Sequence, residues 1–261
     1  MLNKQYDELK RNTIIIAIAN VGSRAINFVL APMYSYYLST EQYGTMDLIV
    51  TAIGLITPLV CLDIYEATFR ITSDKNSDKR IVFSSSFLFT IGLTIIVLGI
   101  IFLVTYDSMI ISIALLGAAL ESNIGVLSQF ARGIGKMKIF AFSGIANSLI
   151  IFLLNIFFLV ILQHGLYGWA IGYLVAKFLV CIFLFVAING WKFFSIKKIS
   201  KSFYIEAFKY ALPLIPTTTM WWIMNVSDRY MILYYIGASA NGIYAVANKL
   251  PALLSIFENN F

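Results

Sequence analysis

The sequence predicts an all-α, polytopic membrane helix bundle, and three observations point to it. First, 60% of the 261 residues are hydrophobic and only 12% are charged, with a mean hydropathy of +0.84. Soluble domains run at roughly 45–50% apolar and about 25% charged residues, so this chain carries more apolar surface than a water-soluble core buries. Second, the apolar residues fall in runs of about 20 residues or more, the helical length that crosses a hydrocarbon core of roughly 30 Å. Third, the basic residues gather in alternate connections between those runs.

The runs cover 12–38, 45–65, 81–105, 109–130, 139–162, 169–190 and 211–236, with an eighth starting at 243. The first is too long for a signal-peptide core and lacks a small-residue cleavage site, so it is read as a span that stays in the protein. All are too evenly apolar for the alternating ten-residue segments of a membrane β-barrel. In lipid, backbone N–H and C=O groups must be satisfied within the segment, which makes the runs helices.

Charge sets the topology. Lys4, Lys10 and Arg11 precede the first run. Arg70, Lys75, Lys79 and Arg80 follow the second, Arg132, Lys136 and Lys138 follow the fourth, and Lys192, Lys197, Lys198, Lys201 and Lys209 follow the sixth. The intervening connections, around Glu41, Asp107, His164 and Ser239, carry no Lys or Arg. The positive-inside rule then places the N-terminus in the cytoplasm of an inner-membrane protein. The net charge of +6 is read as topogenic and lipid-facing, and no basic-aromatic module points to nucleic acid. Expected organisation is a six-helix bundle over 1–190, a cytoplasmic linker over 191–210, and the start of a second bundle over 211–261. The linker is read either as an amphipathic helix along the membrane surface or as a solvated connection.

The chain also repeats. Residues 33–44 read MYSYYLSTEQYG and residues 231–242 read MILYYIGASANG, so Met33, Tyr36, Tyr37 and Gly44 match Met231, Tyr234, Tyr235 and Gly242 at a constant offset of 198. Six runs separate the copies, an even number, so both copies point the same way: a parallel six-span repeat about an axis along the membrane normal. The second copy stops at residue 261, within its second span, which leads to the expectation that the chain is a fragment of a longer transporter or a non-functional remnant.

Ionisable groups inside spans are costly and mark function by default. Asn20, Arg24 and Asn27 share one face of the first run, and Thr218, Trp222, Asn225 and Arg229 share one face of the seventh. With Lys177 and Lys249 they make the expected polar lumen. Asp228, Glu121 and Asp63 are the expected coupling or helix-pairing groups, with Asp228 opposite an arginine and Glu121 opposite Lys177 as examples. Glu66 and Arg70 have ion-pair spacing, and Asp47 is read as wet. Pro32 is expected to kink the first run. Pro213 and Pro216 are read as a helix entry or a hinge. Tyr34, Tyr36, Tyr37, Tyr234 and Tyr235 read as an interfacial aromatic belt. Cys61 and Cys181 read as buried, inert thiols, and one histidine with two such cysteines makes no zinc site. No phosphate-binding loop is present, so no cofactor is expected and the chain is not read as an enzyme.

Two segments carry a family resemblance: ALPLIPTTTMWWIMNVSDRYMILYYIGASANGIYAVANKLPALLSIF, within 208–261, and PMYSYYLSTEQYGTMDLI at the first outer turn. They resemble bacterial polysaccharide flippases of the superfamily of multidrug, oligosaccharidyl-lipid and polysaccharide exporters. The resemblance implies two six-helix bundles rocking about a central cavity. It also implies transfer of a polyprenyl-pyrophosphate-linked oligosaccharide, such as an O-antigen unit, between leaflets, with other polysaccharide-assembly proteins as partners. A cationic lumen is a theme of that family. Arg24, Arg229 and Lys249 are assigned to it on physical grounds, because no motif match assigns them. The rival expectation is an ion-coupled multidrug exporter, which calls for an acidic lumen.

Overall fold

The computed structural model describes residues 2–103 and 108–249, with side chains from residue 10 onward. Asp107, the side chain of Lys4 and the eighth run beyond residue 249 therefore lie outside the described residues. Every regular element described is helical: α1 (Leu2–Tyr37), α2 (Thr40–Cys61), α3 (Ile64–Ser73), α4 (Lys79–Leu103), α5 (Met109–Gly133), α6 (Met137–Asn155), α7 (Gly165–Ile188), α8 (Lys201–Ala211), α9 (Ile215–Tyr235) and α10 (Ala238–Ala247). α6 continues as a π-helix over Ile156–Ile161. Among the described residues six helices are long and apolar enough to cross a membrane: Lys10–Tyr37, Thr40–Cys61, Lys79–Leu103, Met109–Gly133, Met137–Ile161 and Gly165–Ile188. They correspond to the first six runs, and the chain is a multi-pass membrane protein. α9 has 21 residues but is not among the six; Thr217–Thr219, Asn225, Asp228 and Arg229 dilute its apolar character.

Local chemistry sets the joints. Ser39 caps α2, accepting from Gln42 N at 3.2 Å while Gln42 Oε1 accepts from Ser39 N at 3.2 Å, the reciprocal arrangement that satisfies two orphan donors. The second run is not one span. It breaks at Leu62 and Asp63, both in the left-handed region with φ of 52° and 50°, where the N–H groups of both turn back to Pro58 O. Pro58 and Pro32 lie inside α2 and α1.

Side chains from the basic connections meet at one end of the bundle. Lys136 Nζ donates to Ile188 O at 3.0 Å, Lys198 pairs with Asp78 at 2.9 Å, and Arg70 lies over the Tyr210 ring. We call this the basic end and the opposite one the far end. Tyr34, Ile49, Ile53, Trp169 and Tyr173 centre the core nearer the far end. Cys61, Ile64, Ala67, Phe203 and Ala207 form a second cluster toward the basic end, and Phe83, Phe130, Leu184 and Ile188 a third. Large apolar side chains such as Ile95, Phe102, Phe142 and Phe178 point outward, as a protein solvated by lipid requires. Residues 191–210 do not form a free connection: α8 buries Phe203 and Ala207 against α3.

The repeat has a structural counterpart. α1 gives way to α2 between Tyr37 and Thr40, and α9 gives way to α10 between Tyr235 and Ala238, again 198 residues apart. α2 and α10 cross where Gly44 and Gly242 face each other. A Cβ on Gly44 would lie 1.9 Å from Ala238 O and 2.8 Å from Gly242 N, and one on Gly242 would lie 2.0 Å from Thr40 O and 3.2 Å from Gly44 N. Thr40 and Ala238 are themselves a repeat pair, so the contact is reciprocal, as a two-fold interface requires. Small residues permit this approach of two helix backbones.

Gly44→Val is therefore expected to push α10 off α2. In a Cys61→Ala/Cys181→Ala background, Thr40→Cys and Ser239→Cys should cross-link readily under mild oxidation, since their hydroxyls lie 2.9 Å apart. Adding Gly44→Val should cut the yield several-fold; an undiminished yield would refute the crossing.

Candidate functional site

A polar seam joins α2 to α9 and α10 along most of the length of α2. At the far end Thr40 Oγ1 and Ser239 Oγ share a hydrogen bond, and Asn241 Nδ2 donates to Gly44 O at 3.1 Å. One helical turn deeper, Arg229 Nη1 donates to both oxygens of Asp47 at 2.7 Å. Next, the Tyr230 hydroxyl meets Thr51 Oγ1 at 3.2 Å and Trp222 Nε1 donates to Thr51 O at 2.8 Å. Toward the basic end Thr218 Oγ1 donates to Asp63 Oδ2 at 3.3 Å. Asp47 is only 5% exposed. A carboxylate so buried is tolerated because a guanidinium neutralises it with charge-assisted hydrogen bonds.

Asp47 is a functional candidate that sequence reading placed in water. Its partner lies 182 residues away, so no local spacing reveals the pair. The pairing also corrects the expectation for Asp228. That carboxylate does not face an arginine side chain; it accepts from the Tyr244 hydroxyl through Oδ2 and from the Arg229 backbone N–H through Oδ1. Glu66 and Arg70 do not pair either. Glu66 accepts from Gln129 Nε2 at 2.9 Å and Arg70 sits 4.4 Å from the Tyr210 ring centroid. Tertiary partners win over helical spacing at both residues.

Two cavities flank the seam. One, of about 300 Å³, is lined by Asn27, Tyr34, Asp47, Trp169, Tyr173 and Lys249 among others. Asn27 in that lining turns the polar face of α1 toward Asp47 of α2 and Lys249. Asn20 and Arg24 follow on the same face, both exposed, and Arg24 has no hydrogen bond or ion pair among the described residues. Lys249 is exposed and shares the lining of this cavity with Asp47. Arg229, paired with Asp47, is thus not a free lumenal charge.

The other cavity, of about 430 Å³, lies at the middle of α5 and α7 and toward the basic end, between α2, α5, α7 and α9. Thr57, Tyr65, Glu121, Lys177 and Thr218 contribute to its lining. Lys177, 5% exposed, places Nζ 2.6 Å from Glu121 Oε2. Tyr173 borders both cavities. Asp63 is fully buried at the α2–α3 break. Asn225 is exposed and turns back to donate to Trp221 O at 2.7 Å. Pro213 lies in the 3-10 turn Leu212–Leu214, which joins α8 to α9 without a gap, and Pro216 lies in the first turn of α9. Of the five tyrosines expected in the belt, Tyr34 is buried in the core, while Tyr36, Tyr37, Tyr234 and Tyr235 are exposed. Cys61 is buried and Cys181 half-buried. No group of three or more metal-ligating side chains occurs among the described residues.

If Asp47 and Arg229 form one electrostatic unit, Arg229→Ala strands a buried carboxylate and should cost about 3 kcal/mol or more. The Asp47→Ala/Arg229→Ala protein should be less destabilised than the sum of the single variants. Thermal unfolding of the purified variants in detergent measures this; additive losses would contradict the pairing.

The arrangement is that of a known fold. Aligned structures include the MATE multidrug transporter DinF-BH, with a TM-score of 0.74 and 14% identity over 96% of this chain and 61% of that one. An outward-facing multidrug resistance MATE family transporter of the MOP superfamily aligns at TM-score 0.72 and 16% identity over 95% and 60%. An inward-facing one aligns at 0.67 and 15% over 91% and 58%. The chain spans about three fifths of the length of these structures. No curated protein matches it. The family model described as "Polysaccharide biosynthesis protein" matches residues 9–260, and the chain belongs to that family.

Proposed function

We propose that this chain takes part in flipping a polyprenyl-pyrophosphate-linked oligosaccharide from the inner to the outer leaflet of a bacterial cytoplasmic membrane. Family membership supports the polysaccharide context, and the MATE-like fold supports a two-unit transporter. The observation that carries the reading is Arg24: a guanidinium without an ion-pair partner among the described residues, midway along a span, on a polar face with Asn20 and Asn27. The energetic default for a charge at that depth is a partner, and a pyrophosphate supplies one through paired hydrogen bonds.

With the basic end in the cytoplasm, the far-end seam closes the path to the outside while the Glu121–Lys177 cavity lies on the cytoplasmic side of it. Alternating access then means parting α2 from α9 and α10 at Asp47–Arg229 while the cytoplasmic side closes. The polyprenyl tail stays in lipid throughout and only the head needs shielding. In this reading Arg24, Asn20, Asn27, Lys249 and Lys177 line the head-group path, Asn225 joins them when the units part, and Asp63, Glu121 and Asp228 are the coupling candidates. Pro32, Pro213 and Pro216 serve as hinges. A multidrug exporter is favoured only by the shared fold, since the buried acid on the seam is already neutralised by Arg229.

In a strain lacking its own polysaccharide flippase but supplying a matched lipid-linked sugar, the natural reading frame should restore surface polysaccharide. Arg24→Ala should lower the restored amount by roughly tenfold or more, the loss expected for a charge-assisted contact to the moving anion. Arg24→Lys should retain an intermediate level. Full restoration by Arg24→Ala, at equal membrane abundance, would overturn the reading.

A further inference from the structure

Residues 190–211 carry more surface chemistry than a connection between two units needs. The segment makes two short 3-10 turns, Gly190–Lys192 and Ile196–Lys198, before α8. Its backbone is tied to the start of α4. Ser84 Oγ donates to Phe193 O at 3.1 Å and accepts from Ser195 N at 2.9 Å. Ser200 N donates to Ser85 Oγ at 3.3 Å and the Tyr204 hydroxyl donates to Ser85 O at 3.0 Å. Lys198 pairs with Asp78 at 2.9 Å, and this pairing holds the Asp78 carboxyl below its usual range.

These ties fix the depth of the segment. α4 has 25 residues, about 37 Å at 1.5 Å per residue, some 7 Å more than a hydrocarbon core of about 30 Å. Its second turn, where Ser84 and Ser85 lie, therefore falls near the boundary between headgroups and acyl chains. At that level the segment divides its side chains three ways. Phe203 and Ala207 go inward. Trp191, Ile196 and Ile205 go outward, Ile196 68% and Ile205 62% exposed. Lys192, Lys197 and Lys201 are exposed as well, and Glu206 is the lone acid in the segment.

We propose that residues 190–205 form an interfacial strap that binds anionic phospholipid headgroups through Lys192, Lys197 and Lys201, with Trp191, Ile196 and Ile205 seated among the acyl chains. Exposed apolar groups at this depth match lipid better than water, and a lysine cluster beside them attracts a negative headgroup over a zwitterionic one. Tryptophan at this level is the usual interfacial anchor. The strap leads through α8 into α9, so a lipid held there restrains the entry to the second unit. The inference stands independently of which substrate the chain moves.

The test uses the whole chain in nanodiscs of phosphatidylcholine doped with spin-labelled phosphatidylglycerol or, in parallel, spin-labelled phosphatidylcholine. The reporter is the fluorescence component lost in Trp191→Phe. Half-quenching is expected at a mole fraction of phosphatidylglycerol roughly threefold or more below that of phosphatidylcholine. Lys192→Gln/Lys197→Gln/Lys201→Gln, which leaves the Lys198–Asp78 pair intact, should erase the difference. Lys75→Gln/Lys138→Gln, at the same end but off the strap, should keep it. Equal quenching by both lipids in the unmutated chain would overturn the proposal, and needs no variant to fold. So would a preference that survives the triple substitution.

Discussion

Two helix backbones come within a few ångströms of each other only where neither presents a side chain, and the contact between α2 and α10 depends on that at Gly44 and Gly242. With a Cβ at either position the carbonyl of Ala238 or Thr40 would have to move. The other seam interactions follow from this approach. It brings Thr40 to Ser239 and Asn241 to the Gly44 carbonyl, and it brings α9 alongside α2, where Arg229 reaches Asp47. A seam of hydrogen bonds and one ion pair, with glycines in place of interlocking side chains, is suited to parting and re-forming. In the proposed opening its polar groups would find other partners in water or in the cargo, whereas a dry apolar seam would lose its burial outright.

The symmetry of this contact ties sequence to mechanism. Gly44 meets Gly242, its match at the offset of 198, so the repeat in the sequence is also a contact in space. The charges do not share the symmetry. Asp47 aligns with Ala245 and Arg229 with Ala31, so the ion pair departs from the symmetry of the crossing and draws one partner from each copy. Arg24 aligns with Trp222, which spends its indole N–H on Thr51 O. Among the described residues, one copy thus leaves a cation unengaged at the position where the other packs an aromatic against α2.

Much of the architecture is legible in the sequence, and the limits have physical reasons. Hydropathy located the first six spans because lipid imposes a length and a composition on each. Periodicity found the Asn20, Arg24 and Asn27 face because that is a property of one helix. The break at Leu62 and Asp63 was missed because neither residue is a glycine, although both are left-handed. Asp47 was misread as wet, and Glu66 and Arg70 as a pair, because their partners come from α9, α5 and α8. Tyr34 went to the core because its neighbour Trp169 is brought there by α7. Helical spacing reports which residues share a face, and it leaves open what that face meets.

We infer that the far end opens and closes at the Asp47–Arg229 pair. Spin labels at Tyr36→Cys and Tyr234→Cys, a repeat-equivalent pair each 82% exposed beside the far-end turns, report the separation directly by pulsed dipolar spectroscopy in a Cys61→Ala/Cys181→Ala background. The account predicts a short-distance population in the otherwise unmutated chain and a shift toward a longer one when Asp47→Asn removes the pair. A single distance distribution, unchanged by Asp47→Asn, would contradict it.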